Sequence, residues 1–228
     1  MKGTMRYMKN IKFLFILIEI GEKYNFHPGV QILTSCLQEN GVEVELLHVN
    51  NKLKEDYKYI HRLVLRANPD IIGFSSTTHT YSDCNKVAGE LKREGITSLI
   101  ILGGIHAIIA PRDIEDSNFD AFCNAEGEIP LVELCNRMSR NEDIYNIEGF
   151  YFMNGKRVVK NFPGKYIEKL DDLPYRSYDI VDTVNILKEK NGWFSIAFSR
   201  GCPYSCGFCI NQKLKEVHRK CNNANYFR

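Results

Sequence analysis

The sequence predicts a doubly wound α/β domain, in which helices cover both faces of a parallel sheet. Over the first 140 residues, short β-rich runs alternate with longer amphipathic stretches, and this alternation is typical of βαβ units. The β-rich runs are almost continuously apolar, as expected for strands that are buried on both sides. We therefore expect a flavodoxin-like or Rossmann-like parallel sheet with the strand order 2-1-3-4-5.

The elements of this domain follow from the apolar runs and from the residues that end helices. The predicted strands are Ile11–Ile18, Val42–His48, Ile71–Ser75, Ser98–Leu102 and Asp120–Cys123. The predicted helices are Val30–Asn40, Lys54–Asn68, Tyr81–Glu94, Pro111–Asp116 (short) and Glu128–Arg140. Gly41 and Gly95 stand where a positive φ angle ends a helix, and Asn68-Pro69 ends another.

The pattern changes near residue 146. Gly149–Met153 and Arg157–Asn161 flank an Asn154-Gly155 turn, which predicts a β-hairpin. We expect this hairpin to lie outside the parallel sheet. A linker follows to residue 190, and Trp193–Ser199 is predicted to form one more strand. The chain is thus divided into residues 1–145, 146–190 and 191–228.

The amino-acid composition and net charge limit the class of protein to which the chain can belong. The 228 residues are 44% hydrophobic and 25% charged, which is ordinary for a soluble globular protein. A net charge of +2 gives no case for nucleic acid. The early apolar run Phe13–Ile18 is too short for a signal peptide or a membrane span. We expect a cytoplasmic protein without membrane contact, whose eight cysteines favour metal over disulfides.

Three of the cysteines form a compact motif. Cys202, Cys206 and Cys209 have the spacing C-x3-C-x2-C directly after a predicted strand. Three thiolates on one loop can hold three irons of a [4Fe–4S] cubane and leave the fourth iron open to a small molecule. The alternatives are free thiols or zinc. A zinc site would need a further pair of ligands, and Cys221 with His218 offers one only at an unusual spacing.

The loops at the C-terminal ends of the predicted strands are where an open α/β sheet binds ligands. The loop Ser75–Thr80 offers hydroxyl groups, and Gly103-Gly104 allows a bulky ligand to approach the backbone. A Gly-Gly turn is also compatible with turn geometry alone. We expect Glu126 and Glu128 to favour the positive N-terminus of the following helix.

Taken together, these motifs resemble those of the cobalamin-binding radical S-adenosylmethionine (SAM) proteins. The resemblance runs from about Phe13 to Cys209. Its motifs are Pro28-Gly29, Asp70–Ser76, Leu102–His106, Ala125–Glu128, Leu170–Pro174 and Ser199–Cys202. It implies a cobalamin-binding α/β domain over 1–145, a hairpin and linker over 146–190, and the start of a radical SAM barrel over 191–228.

The resemblance also implies cofactors and the residues that bind them. The three motif cysteines would hold a [4Fe–4S] cluster, and SAM would bind its open iron with the adenine against Phe208. The residues implied for cobalamin are Ser75, Ser76, Thr77, Gly103, Gly104 and His106. His27 stands in a degraded form of the Asp-x-His-x-x-Gly motif of other cobalamin proteins. We therefore expect no protein histidine on cobalt, and we expect His27 and His106 to be loop or pocket-wall residues.

The function implied is that of a cobalamin-dependent radical SAM enzyme, methyltransferase-like or cyclase-like, supplied with electrons by a flavodoxin or ferredoxin. Only residues 210–228 follow Cys209, whereas a full barrel takes about 250 residues. We therefore expect the N-terminal portion of such an enzyme; its catalytic residues and substrate are not predicted. The alternatives are a stand-alone corrinoid-binding module, or a simple Fe–S or zinc protein without turnover.

Overall fold

A computed structural model of the chain describes residues 9–19, 21, 25–50, 56–194 and 196–222, with side chains up to Val217. Its main feature is a sheet of seven strands. The strands are β1 (Lys12–Ile18), β2 (Glu43–Val49), β3 (Ile71–Ser75), β4 (Leu99–Gly103), β5 (Ala121–Cys123), β6 (Phe150–Asn154) and β7 (Arg157–Lys160).

The first five strands are parallel and follow the order β2-β1-β3-β4-β5. The predicted strand order is confirmed. Alternate side chains of β1 enter different cores: Phe13 packs on one face of the sheet and Leu14 on the other. Both faces are therefore dry, which is why this strand is a continuous apolar run in the sequence.

Helices cover both faces of the sheet, as predicted. The α-helices are α1 (Pro28–Glu39), α2 (Tyr57–Ala67), α3 (Thr78–Arg93), α4 (Ile105–Ile109), α5 (Glu128–Ser139), α6 (Thr183–Glu189) and α7 (Ile210–Asn222). Short 3-10 helices span Pro111–Asp116 and Leu170–Asp172. Leu37 of α1 and Leu134 of α5 lie in one core, and Val64 of α2 and Leu91 of α3 lie in the other.

The predicted helix ends are close to the observed ones. Asn68 takes a left-handed conformation after α2, and its N–H donates to the carbonyl of Val64. Gly95 follows α3 with a φ of +85°. At the start of α2, the carboxylate of Asp56 accepts from the N–H of Tyr59 at 3.0 Å. The first two residues of the predicted helix Lys54–Asn68 lie outside the described residues.

The predicted hairpin forms, but its expected position outside the sheet is wrong. β6 pairs antiparallel with β5 and places Phe152 opposite Ala121. β5 has only three residues, and without β6 its outer edge would have unpaired backbone groups. Phe150 and Phe152 also bury their rings in the core, so docking the hairpin removes a large apolar area from water.

The last predicted strand, Trp193–Ser199, is also wrong for the residues that the structure describes there; Ser195 lies outside them. A strand needs a neighbour for its backbone groups, and this segment runs without a helix or strand. Trp193 is 79% exposed and Phe198 90% exposed. None of the helices in the described part of the chain is long and apolar enough to span a membrane.

Candidate functional site

The loops after β3 and β4 meet at the C-terminal edge of the sheet. Ser75 and Gly103 are partners in the register of the two strands. Beyond them, the N–H of Ser76 donates to the carbonyl of Gly103 at 3.0 Å, and the N–H of His106 donates to the carbonyl of Ser76 at 3.2 Å. The residues predicted for cobalamin thus lie together, beside the point between β1 and β3 where the strand order reverses.

The two glycines after β4 have different roles. Gly104 has a φ of +86°, and a Cβ there would lie 2.6 Å from the backbone oxygen of Ser76. This glycine is needed for the two loops to pack against each other. At Gly103 the nearest atom to an added Cβ is the carbonyl oxygen of Phe74, at 3.7 Å. The open backbone at Gly103 is therefore the feature that fits the close approach of a bulky cofactor.

The hydroxyl groups of the β3 loop are not equally available. Ser76 is only 2% exposed, and its Oγ donates to the carbonyl of Thr77 at 2.7 Å. Thr77 itself is exposed and precedes α3, with its N–H donating to Thr80 Oγ1 at 3.2 Å. Ser75 is half-buried. Ser75 and Thr77 can reach a ligand, whereas Ser76 stabilises the loop.

His106 is buried behind the β4 loop. Its ring stacks on Tyr81 with centroids 3.9 Å apart, and its Nδ1 lies 3.4 Å from Thr78 Oγ1. Its Nε2 lies 3.3 Å from a carboxylate oxygen of Asp113, without hydrogen-bond geometry. Burial lowers the pKa of His106 below its ordinary value, although Asp113 opposes this. These contacts hold the ring against α3 and the following 3-10 helix, and the role of His106 as a loop or pocket-wall residue stays a prediction.

His27 lies directly before α1, and its Nε2 hydrogen-bonds to Glu19 Oε1. Burial would raise the pKa of the Glu19 carboxyl, but the bond to His27 and its charge outweigh burial and lower the pKa. His48 lies beside the pair, and burial lowers its pKa to about 4. One ligand atom from each of the three lies within 4.8 Å of the others, close enough to hold one ion. The bond to Glu19 engages the Nε2 of His27, and the expectation that His27 is not a cobalt ligand stays a prediction.

The cysteine motif lies on the loop that precedes α7. Cys206 is exposed, and Cys202 and Cys209 are half-buried; all three thiols are free. The N–H of Cys209 donates to the carbonyl of Cys206 at 3.0 Å, and Asn211 Nδ2 lies 3.4 Å from Cys209 Sγ. Hydrogen bonds to sulfur are among the features that tune an iron–sulfur cluster. Phe208 is 95% exposed.

The spacing of the three motif thiols bears on the choice between a single ion and a cluster. In the described part of the chain, the three cysteines do not form a group whose ligand atoms lie within 4.8 Å of one another. A single zinc, with Zn–S distances of about 2.3 Å, needs its ligands that close, whereas each cysteine of a cubane binds a different iron. The side chains of Cys221 and His218, which the zinc alternative would use, lie outside the described residues.

Arg200 connects the cysteine loop to the loop between β5 and α5. Its Nη2 lies 2.5 Å from Glu128 Oε1, and its Nη1 lies 3.4 Å from Glu126 Oε2. Burial lowers the pKa of Arg200, but the two carboxylates outweigh burial and hold the pKa above its ordinary value. Glu128 begins α5, yet it forms no side-chain cap. The pairing was missed from the sequence because 72 residues separate the partners.

The segments around the cysteine loop pack against the first domain at the same edge of the sheet. After the loop, α7 contacts α4, the short helix that follows Gly104. Before the loop, the ring of Phe194 packs on Phe26 and on Tyr178, with centroids 5.2 and 5.3 Å apart. Because Phe26 precedes α1, these contacts lie on the loops that follow β1 and β4. The two candidate sites therefore share the C-terminal edge.

A parallel α/β domain with ligand-accessible loops at the C-terminal edge of its sheet, followed by a cysteine loop, is typical of cofactor-binding proteins. Comparisons with known proteins identify the family. The B12 binding domain family matches residues 22–135. The uncharacterized methyltransferase PH0819 of Pyrococcus horikoshii is 27% identical over 185 residues, 79% of this chain. The cobalamin-dependent radical SAM methyltransferase TokK of Streptomyces tokunonensis is 28% identical over 148 residues, 62% of this chain.

A solved structure has the same fold. It is the radical SAM methyltransferase TsrM of Kitasatospora setae with cobalamin and a [4Fe–4S] cluster bound, at a TM-score of 0.68 and 19% identity over 87% of this chain. The chain belongs to the B12-binding-domain family, and the resemblance to cobalamin-binding radical SAM proteins is confirmed at that level. The chain spans 39% of PH0819, 22% of TokK and 41% of TsrM.

Proposed function

We propose that the chain binds cobalamin at the C-terminal edge of the sheet, and a [4Fe–4S] cluster with SAM at the cysteine loop. It would be the N-terminal portion of a cobalamin-dependent radical SAM enzyme of the methyltransferase or cyclase type. The observation that carries this proposal is the shared edge: α7 contacts α4 and Arg200 binds Glu128. Two cofactors that act in one reaction have to be held within reach of each other.

The predicted site residues would have different roles in binding the cofactors. Cys202, Cys206 and Cys209 hold the cluster, and the exposed ring of Phe208 lies against the adenine of SAM. Ser75, Thr77 and Gly103 contact cobalamin directly, because they are accessible at the edge. Ser76, Gly104 and His106 shape the loops from behind, because their polar or backbone atoms are engaged within the protein.

The cofactors supply the chemistry, and the chain supplies their placement. When bound, the cluster donates the electron that cleaves a carbon–sulfur bond of SAM, and cobalamin supplies a group-transfer centre. The electron would come from a flavodoxin or ferredoxin in the cytoplasm. The division into residues 1–145, 146–190 and 191–228 is part of the same proposal, with the hairpin of the middle segment adding two strands to the sheet.

The exposed apolar side chains near the cysteines support the proposal that a longer protein contains this chain. Trp193, Ile196, Phe198 and Tyr204 are between 64% and 90% exposed. Several large apolar side chains exposed within one short segment often mark a contact. We propose that the further βα units of a radical SAM barrel cover it.

Anaerobic reconstitution with iron, sulfide and hydroxocobalamin tests the proposal. We expect about four irons and four sulfides per chain, absorption near 400 nm, and cobalamin that stays with the protein through gel filtration. Cobalamin without a cluster would instead indicate a stand-alone corrinoid-binding module. Iron or zinc without cobalamin would indicate a simple metal protein. Tightly bound zinc without absorption near 400 nm would refute the cluster.

A further inference from the structure

We propose that Arg200 is a positioning residue that holds the cysteine loop against the β5–α5 loop and so fixes the cluster relative to cobalamin. The inference rests on the proposed function. Only Gly201 separates Arg200 from Cys202, the first proposed ligand of the cluster. Because the guanidinium of Arg200 is fixed at one end of the tripeptide Arg200-Gly201-Cys202, the range of positions open to the Cys202 thiol is limited.

The two glutamates that bind Arg200 lie on a loop that packs closely against the domain. Glu126 and Glu128 flank Gly127, where an added Cβ would lie 3.0 Å from Leu33 Cδ2. The backbone between the two carboxylates therefore packs closely on α1. Glu126 also accepts from the N–H of Ile167 at 3.3 Å, so the same carboxylate fixes part of the linker.

The burial of the three side chains distinguishes this contact from an ordinary surface ion pair. The side chains of Arg200, Glu126 and Glu128 are 27%, 16% and 6% exposed. By comparison, both side chains of the pair Lys213–Glu216 are at least half exposed. Charge-assisted bonds are stronger where water is excluded, and the flat guanidinium can serve two carboxylates at once in a way that a lysine ammonium matches poorly.

The rest of the cysteine loop has few other restraints. Phe198 and Phe208, on either side of Cys202, are almost fully exposed. Within the described residues 196–209, Arg200 supplies the ion pairs to the first domain. Releasing Arg200 should therefore loosen the loop while the sheet stays intact.

The first measurement uses the cofactor-free full chain. We expect Arg200→Gln to speed chymotryptic cleavage after Phe198 by about tenfold, because a charge-assisted contact is lost, and Glu126→Gln to have a smaller effect. The matched control is Arg137→Gln, since that guanidinium has a similar exposure and pairs with Glu133 in the last turns of α5, away from the cysteine loop. Equal cleavage rates for Arg200→Gln and the wild type would overturn the proposal.

The second measurement uses the reconstituted chain with saturating hydroxocobalamin. Trp193 is the only tryptophan, and corrin absorption quenches tryptophan emission in a distance-dependent way. We expect Arg200→Gln to bind cobalamin with unchanged affinity but with less quenching, and Arg200→Lys to restore part of it. A lower melting temperature with unchanged quenching and cleavage would show a merely structural role and refute the proposal. A wild type that binds no cobalamin refutes the proposed function, while the cleavage measurement still decides whether Arg200 anchors the loop.

Discussion

The sheet domain and the cysteine segment are ordered by different means. In the sheet, the interior strand β1 has six of its seven residues buried, and helices pack on both faces. In the segment 193–209, Phe198 is 90% exposed, and its main polar contact with the domain passes through Arg200. Burial of apolar side chains therefore orders the first region, whereas ion pairs to residues far away in the sequence tie the second region to it.

The cysteines of the two regions show the same contrast. Burial raises the pKa of Cys36 to about 11, and that of Cys84, Cys123 and Cys135 to about 12. These thiols stay protonated at neutral pH and act as small apolar core groups. A metal ligand has to be a thiolate, and the motif cysteines differ from the core set in being exposed or half-buried at the surface.

The largest expected effect separates these two sets of cysteines. We expect Cys206→Ala to abolish the cluster, since three thiolates are needed for three irons. The matched control is Cys84→Ala, which removes a fully buried thiol and should keep the full iron content. Iron and sulfide analysis after anaerobic reconstitution gives the answer. Normal iron content in Cys206→Ala would contradict the assignment.

The next expected effect compares two phenylalanines. Phe152 is 1% exposed and Phe198 is 90% exposed. We expect Phe152→Ala to lower the free energy of unfolding by about 3–5 kcal/mol through loss of core packing, and Phe198→Ala to change it by less than about 0.5 kcal/mol. Urea denaturation measures both. A small effect at Phe152 would show that the hairpin adds little to the sheet.

The sequence predicts the sheet well because its determinants are local. The predicted strands begin and end within one residue of β1 to β5. Apolar runs mark these strands in the sequence, and helix-ending residues mark where the helices between them stop. The docking of β6 on β5 was missed because an antiparallel partner is chosen by distant packing, here of Phe150 and Phe152. Trp193–Ser199 has strand-forming residues but no partner among the described strands. Glu126 and Glu128 stand in one of the sequence motifs and Arg200 in another. Two acidic residues so close together in a buried loop could have indicated that a basic residue from elsewhere in the chain pairs with them.

A smaller effect tests the edge of the sheet at its two glycines. We expect Gly103→Leu to weaken cobalamin binding by about tenfold, since the side chain would occupy an otherwise open space at the edge, while stability stays unchanged. Gly104→Leu should instead destabilise the protein, because the Cβ would collide with the backbone of Ser76. Cobalamin titration and thermal unfolding of both variants separate the two roles. Unchanged affinity in Gly103→Leu would place the cofactor elsewhere.

The smallest expected effect on cofactor binding is that of His27→Ala. Because the Nε2 of His27 is bound to Glu19, we expect the affinity for cobalamin and the cobalt spectrum to stay nearly unchanged. Stability should fall by about 1 kcal/mol at neutral pH, since a partly exposed charge-assisted bond is lost. Weaker cobalamin binding, together with a spectral shift that shows lost nitrogen ligation, would mean that His27 binds cobalt.

The stability effect of His27→Ala should also depend on pH in a defined direction. The pKa of Glu19 is lower in the folded protein than its ordinary value of 4.5. Glu19 therefore contributes stability that is fully present above pH 4.5 and is lost as the pH falls through the folded-state pKa. The difference in unfolding free energy between wild type and His27→Ala should accordingly shrink below pH 4.5, and Glu19→Gln should remove this dependence. A difference that stays constant from pH 7 to pH 3 would show that the carboxylate of Glu19 does not stabilise the loop through His27.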